Sequence, residues 1–311
     1  MNANGSAAVP GLIPLISTSE AGPIGIVHLP RLWLKLRLVP LGLLPQGYGV
    51  LGGNTDKALL AAFELDGALL AADVAASEPD YRTFESWIRE RARDLSARNV
   101  TAYNGQAVGL HLPEPRRTEW TRRFGLTSGT YTRALDLNQL DDWDGVHAQI
   151  VALDAPSTPL VPAISSSVPG PLGVLHLPRL WLKQLLHAAG RLPEGYFHGR
   201  GFDEVLAGAL GFDGAAFGAY AAADRPRYLD AEAWIRNHAT TLTYDAIATA
   251  NERFRMAKMP DPLASELRAR FGIADASYDL GYRLNDLDDW DSLHEQLLAE
   301  ARAKRGEPTS R

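Results

Sequence analysis

Two cationic side chains four residues apart, introduced by His and Pro, occur twice in this chain. His28-Leu29-Pro30-Arg31-Leu32-Trp33-Leu34-Lys35 is repeated letter for letter as His176-Leu177-Pro178-Arg179-Leu180-Trp181-Leu182-Lys183. Proline suits a first helical turn, where its missing N–H is not needed. Arg and Lys at this spacing then share one helix face. The Arg lies close to the helix's free N–H groups, and a His just outside the turn completes a cationic corner. Such a corner suits a carboxylate or a phosphate. The competing reading is structural. Each copy ends in an acidic block, Leu140-Asp141-Asp142-Trp143-Asp144 and Leu287-Asp288-Asp289-Trp290-Asp291, which can neutralise Arg and Lys of the same or the other copy. Ion-pair networks cluster charges as binding sites do.

Other polar residues are held by both copies while their surroundings vary: Tyr48/Tyr196, Asp56/Asp203, Asn104/Asn251, Tyr131/Tyr278, Asp144/Asp291 and His147/His294. The expected ligand-binding set is His28, Arg31, Lys35 and Tyr48 in the first copy, and Arg179, Lys183, Asp203 and Asn251 in the second. Acid–base candidates are His176, Tyr196 and His198. His198 has no counterpart in the first copy, which favours the second as the active half. Lys183, set among Leu and Trp, is a candidate base or imine former if burial lowers its pKa; the alternative is a side chain that snorkels past apolar neighbours. His28, Asp56, Asp144 and His147, or His176, Asp203, Asp291 and His294, offer a weaker divalent-metal alternative. No His-x-x-x-His or His-Glu-x-x-His supports it, so no cofactor is expected. Walker, Gly-x-Gly-x-x-Gly and Gly-x-Ser-x-Gly motifs are likewise absent.

These residues sit in a segment repeated at an offset of about 147 residues over nearly the whole chain. Repeats come before fold assignment. Leu12-Ile13-Pro14-Leu15-Ile16-Ser17 matches Leu160-Val161-Pro162-Ala163-Ile164-Ser165 as a leader, leaving a short linker around Asp154 to Pro159. The shared helix follows, ending near Pro40 and Gly190. Thr55 or Asp56 is placed to cap an Ala/Leu helix. Asp66-Gly67 and Asp213-Gly214 end that helix and start another. Trp87 and Trp234 mark an amphipathic helix, and Asn104 and Asn251 a further one. Pro113-Glu114-Pro115 and Pro260-Asp261-Pro262 open a helix closed by Phe124-Gly125 and Phe271-Gly272. A helix with His147 or His294 ends each copy, and Arg302 to Arg311 reads as a frayed tail. Only Ile24–Leu29 and Leu172–Leu177 suggest strands. The Trp pairs read as core. The fold class is therefore mainly α: two pseudo-equivalent helical domains from an internal duplication, residues 1–153 and 154–311, with at most a short strand in each.

Composition narrows the function. The net charge is -6 and 46% of residues are hydrophobic. An acidic chain disfavours nucleic-acid and anionic-membrane partners. The absence of cysteine excludes disulfides, thiolate metal sites and a cysteine nucleophile. Met1 to Ala21 carries no basic residue, so it lacks a secretory n-region. No apolar run is long enough for a bilayer. A soluble cytoplasmic protein, monomeric or homodimeric, is expected.

Through Leu177-Pro178-Arg179, Lys183, Gly195, Tyr196, Asp203, Gly211, Asp213 and Trp234, the second copy resembles the bacterial domain of unknown function 5069 family. The first copy follows through Leu29-Pro30-Arg31, Lys35, Gly47, Tyr48, Asp56, Asp66 and Trp87, with Glu64-Leu65-Asp66 where the family's Gly-Ile-Asp would stand. The resemblance covers most of each half and implies a compact domain without an assigned activity; the tandem form departs from the usual single copy. The reading that follows is a helix-walled pocket for an acidic small molecule, with acid–base residues in the second copy if it is an enzyme. A non-catalytic protein-interaction module and a His/Asp metalloenzyme are the alternatives.

Overall fold

A leader that folds back on the first helix opens each half. The computed structural model describes residues 11–126, 131–152 and 159–307. Fourteen helices lie in these residues, and they correspond in order. They are α1 (Leu29–Leu38), α2 (Asn54–Ala62), α3 (Gly67–Ser77), α4 (Tyr81–Arg91), α5 (Ala97–Gly109), α6 (Arg116–Arg123) and α7 (Ala134–Val151), then α8 (Leu177–Ala188), α9 (Phe202–Leu210), α10 (Gly214–Asp224), α11 (Tyr228–His238), α12 (Tyr244–Met256), α13 (Leu263–Arg270) and α14 (Gly281–Arg305). The fold is mainly α. The expected linker at Asp154 falls outside the described residues, which resume at 159.

The two expected strands are single antiparallel bridges, Ala21 with Val27 and Pro169 with Leu175. The physical reason is that an asparagine takes the ladder's hydrogen bonds. Asn104 Oδ1 accepts from the Val27 N–H at 3.1 Å and its Nδ2 donates to the Gly25 carbonyl at 2.7 Å. Asn251 does the same with Leu175 (2.9 Å) and Gly173 (2.7 Å). Gly25 and Gly173 occupy left-handed backbone, at φ 76° and 75°, which turns the leader sharply.

Asp66 and Asp213 cap α3 and α10 through two N–H groups each, as their Asp-Gly pairs predict. Asp56 caps nothing. It lies inside the first turn of α2, whose N-cap is Gly53, and its carboxylate turns inward. The expected tail is helical to Arg305, where Lys304 donates to the Leu41 carbonyl and Arg305 pairs with Glu78 at 2.9 Å.

Every residue of α1 is buried, its charged ones included. One continuous apolar cluster crosses both halves. Tyr81 on α4 packs edge-on against Trp33 of its own half (5.8 Å) and Trp290 of α14 (4.6 Å). Tyr228 on α11 does likewise with Trp181 (5.5 Å) and Trp143 of α7 (4.5 Å). Each half's last helix thus closes the other half's core. Trp33 and Trp181 also donate to the Pro79 and Pro226 carbonyls, so their indole N–H groups are satisfied on burial. No single helix among the described residues is long and apolar enough to cross a membrane.

Candidate functional site

The repeated octapeptide delivers its polar side chains to the same place in each half. His28 and His176 precede α1 and α8 in left-handed backbone, φ 68° and 66°. That conformation is costly for a residue with a Cβ and persists where surrounding contacts hold it. It aims each imidazole at a carboxylate: His28 Nε2 lies 2.7 Å from Asp56 Oδ1, and His176 Nε2 lies 2.7 Å from Asp203 Oδ1. Nδ1 faces a hydroxyl, Thr18 Oγ1 at 3.2 Å or Ser166 Oγ at 2.9 Å. A nitrogen facing a carboxylate carries the proton, so Nδ1 accepts from the hydroxyl. Burial pushes both histidines down to about 4, against the opposing pull of their aspartates. Both are neutral at pH 7.

The Lys and Arg of the octapeptide are neutralised by the protein. Lys35 Nζ reaches both Asp56 oxygens at 2.7 Å, and Lys183 Nζ lies 2.6 Å from Asp203. Burial lowers both lysines, and the aspartates oppose it. Arg31 donates to the leader carbonyls of Pro14 and Ile16 and pairs with Asp142 at 2.8 Å. Arg179 donates to Pro162 and Ile164 and pairs with Asp289 at 2.5 Å. Tyr48 and Tyr196 donate to Asp142 and Asp289 at 2.6 Å. The acidic block therefore does meet the Arg, but Lys is met by the aspartate on the second helix of its own half. The cationic corner is filled from within.

Several expected roles change in consequence. Asn251 has both ends of its amide on leader backbone. Lys183 is salt-bridged to Asp203. Burial raises the Tyr196 hydroxyl well above its ordinary range, so it keeps its proton near neutrality. His176 is 1% exposed, stacked on Phe254 (5.3 Å) and edge-on to Phe202 (5.6 Å). His198 lies against the His187 ring at 3.8 Å rather than in a relay with His176. The His/Asp metal sets are dispersed. His147 meets the Arg225 carbonyl of the other half at 2.8 Å, and Asp144 and Asp291 pair with Arg123 and Arg270. Among the described residues no three potential ligand side chains converge on a metal-sized site.

The halves differ in what covers the relay. In the first, a cleft of about 420 Å³ opens onto Thr18, His28, Asp56, Tyr48 and Asp142, with Arg116, Trp120, Asn138 and Asp141 around it. In the second, Phe202 and Phe254 stand where the first has Thr55 and Ala107, and Leu263 and Leu267 replace Arg116 and Trp120. Both phenyl rings pack on His176. Arg116 lies over the Trp120 ring, 4.5 Å from its centroid, and makes no ion pair among the described residues.

Sequence reasoning missed Thr18 and Ser166, and Arg116 with Trp120. A signal existed for the first pair: the leader match continues one residue beyond Ser17/Ser165 into two hydroxyls. For Arg116 there was none, because it is not shared by the copies.

No family model matches the chain, and no curated protein or solved structure is significantly similar to it.

Proposed function

We propose that this protein binds a small molecule bearing an acidic group in the cleft of its first half. The observation that carries the reading is a polar cleft of ligand size whose other cations are neutralised and whose rim holds Arg116, a guanidinium with no ion pair among the described residues, on an indole face. Arg31 with Asp142 and Lys35 with Asp56 balance in charge. The acid preference therefore falls to Arg116, with Trp120 offering a flat apolar wall and Asn138 and Tyr48 hydrogen-bonding groups. The binding half moves from the second copy to the first, where a cleft opens on His28 while Phe202 packs on His176 in the second.

The test is a panel of carboxylates and phosphates, aliphatic and aromatic, screened by thermal shift and followed by titration of Trp fluorescence. At least one member is expected to stabilise the protein. Arg116→Ala is expected to weaken it about tenfold or more, as loss of a hydrogen bond to a charged group does. No binder in the panel, or equal binding to Arg116→Ala, overturns the reading.

Kinship with the domain of unknown function 5069 family, carried by the Leu-Pro-Arg, Lys, Gly-x-Tyr and Asp series, belongs to the same proposal, as does a soluble cytoplasmic setting. A second reading, a non-catalytic interaction module, draws on Phe197, Leu263 and Met256 of the second half, which are 62%, 45% and 63% exposed. Native mass spectrometry distinguishes them: a retained acid favours the pocket, and a retained protein partner the module.

A further inference from the structure

We propose that Thr18 is a nucleophile for acyl transfer, activated by His28 and Asp56 in a hydrogen-bonded relay that opens on the first-half cleft. This rests on the reading of that cleft as the ligand site and adds a reaction to it. The substrate class is an ester of a small acid-bearing molecule.

Nucleophilic catalysis by a hydroxyl needs a base within hydrogen-bond reach and a third group that orients the base. Both contacts are present: Thr18 Oγ1 to His28 Nδ1 at 3.2 Å, and His28 Nε2 to Asp56 Oδ1 at 2.7 Å. Asp56 is itself fixed by Lys35 Nζ and by the Leu51 N–H at 3.0 Å. The tautomer is thereby set, with Nδ1 free to take a proton. All three residues border the cleft. The left-handed backbone of His28 belongs to the same arrangement, since strain of this kind concentrates at functional sites. Arg31 and Lys35 border the cleft as well, each held in its ion pair with Asp142 or Asp56.

In the proposed reaction Thr18 Oγ1 attacks the acyl carbon while its proton passes to His28 Nδ1. The ester C–O bond breaks, and His28 returns the proton to the leaving alkoxide, releasing the alcohol. Water then attacks the acyl-threonine ester, giving its proton to His28. The bond to Thr18 breaks, the free acid departs, and His28 restores the Thr18 hydroxyl. No oxidant or metal enters the balance. The second half is an internal control. Its Ser166–His176–Asp203 relay has the same contacts and a more reactive primary hydroxyl, but Ser166 is 1% exposed and Phe202 and Phe254 pack on His176.

The bland alternative is that the hydroxyl only fastens the leader to α1. Reactivity separates the two. The full-length protein is treated with a fluorophosphonate and mapped by peptide mass spectrometry. Attack by Thr18 Oγ1 on phosphorus expels fluoride and leaves one adduct. The expected result is an adduct on Thr18 and none on Ser166, absent from Thr18→Val and formed faster by Thr18→Ser. His28→Gln is expected to slow labelling by about a hundredfold, the scale of a lost general base. Hydrolysis of p-nitrophenyl acetate should follow the same order. Its pH profile should be level between about pH 5.5 and 8, because burial and the neighbouring Lys35 and Arg31 hold His28 neutral there despite Asp56.

No adduct on Thr18 in either the natural protein or Thr18→Ser overturns the proposal, as does labelling indifferent to His28→Gln. The two readings fail separately. An unlabelled Thr18 in a protein that still binds an acid through Arg116 removes the nucleophile alone. A labelled Thr18 with no acid bound removes the acid preference alone.

Discussion

The buried histidines make acid stability the sharpest quantitative test of the network. His176 is 1% exposed and held neutral, its pKa pushed down to about 4 chiefly by burial and against the pull of Asp203. In the unfolded chain it titrates near 6.5. Between those values the unfolded chain binds a proton that the folded one does not. Stability is therefore full above about pH 6.5 and falls as the pH drops toward 4. The gap corresponds to about 3 kcal/mol at 1.36 kcal/mol per pKa unit. The raw curve will not display it, because Asp286 acts in the opposite sense. Burial raises that carboxyl to about 7, so its protonated folded form gains stability as the pH falls through the same range. Asp203, held down to about 2 by His176 and Lys183 against burial, titrates below the window. A comparison isolates the histidine: urea unfolding of the natural protein and of His176→Gln, each at about pH 7 and about pH 4. The variant should be less stable at neutral pH, having lost bonds to Ser166 and Asp203. The difference between the two proteins should shrink by about 3 kcal/mol on acidification. A difference that stays constant would refute the claim that His176 is folded in its neutral form.

Three other perturbations address the same architecture. Asp203→Ala leaves buried Lys183 and His176 without their acceptor and should cost about 3–5 kcal/mol in chemical denaturation. Arg37→Leu should stabilise by about 1–3 kcal/mol, since Arg37 is 2% exposed with Nε and one Nη lacking partners, and the matching position already holds Leu185; a lower melting temperature would contradict this. Gly170→Ala should destabilise by about 1–3 kcal/mol, because a Cβ there would collide with the Tyr228 hydroxyl and the Glu232 carboxylate, whereas Gly173→Ala meets no atom and is resisted only by its positive φ.

Part of the site was legible in advance because it obeys local rules. Pro30 and Pro178 mark helix starts, Asp66 and Asp213 cap helices, and buried Trp33 and Trp181 fall on apolar faces. Pairing of Arg31 and Arg179 with the acidic block was one of two readings the charges allowed, and the structure realises it. Asp56 was misread as a cap because its position beside Thr55 fits one. Its inward turn depends on Lys35 and His28 arriving from α1, which no local pattern records. Asn104 and Asn251 were visible as shared residues, but their use as substitutes for a strand partner required the leader's path.

The sequence by itself determined a helical chain built from two matching segments, the octapeptide that carries their charges, and the absence of any cysteine chemistry, because helix periodicity, capping and residue inventory are properties of neighbours along the chain. Tertiary structure alone decided that the charges neutralise one another, that α7 and α14 each close the other half's core, and that the first half has an open cleft at His28 while Phe202 and Phe254 pack on His176 in the second. Those outcomes depend on which side chains meet across long sequence separations, and on whether a volume left between helices is filled by a ring or left open to solvent.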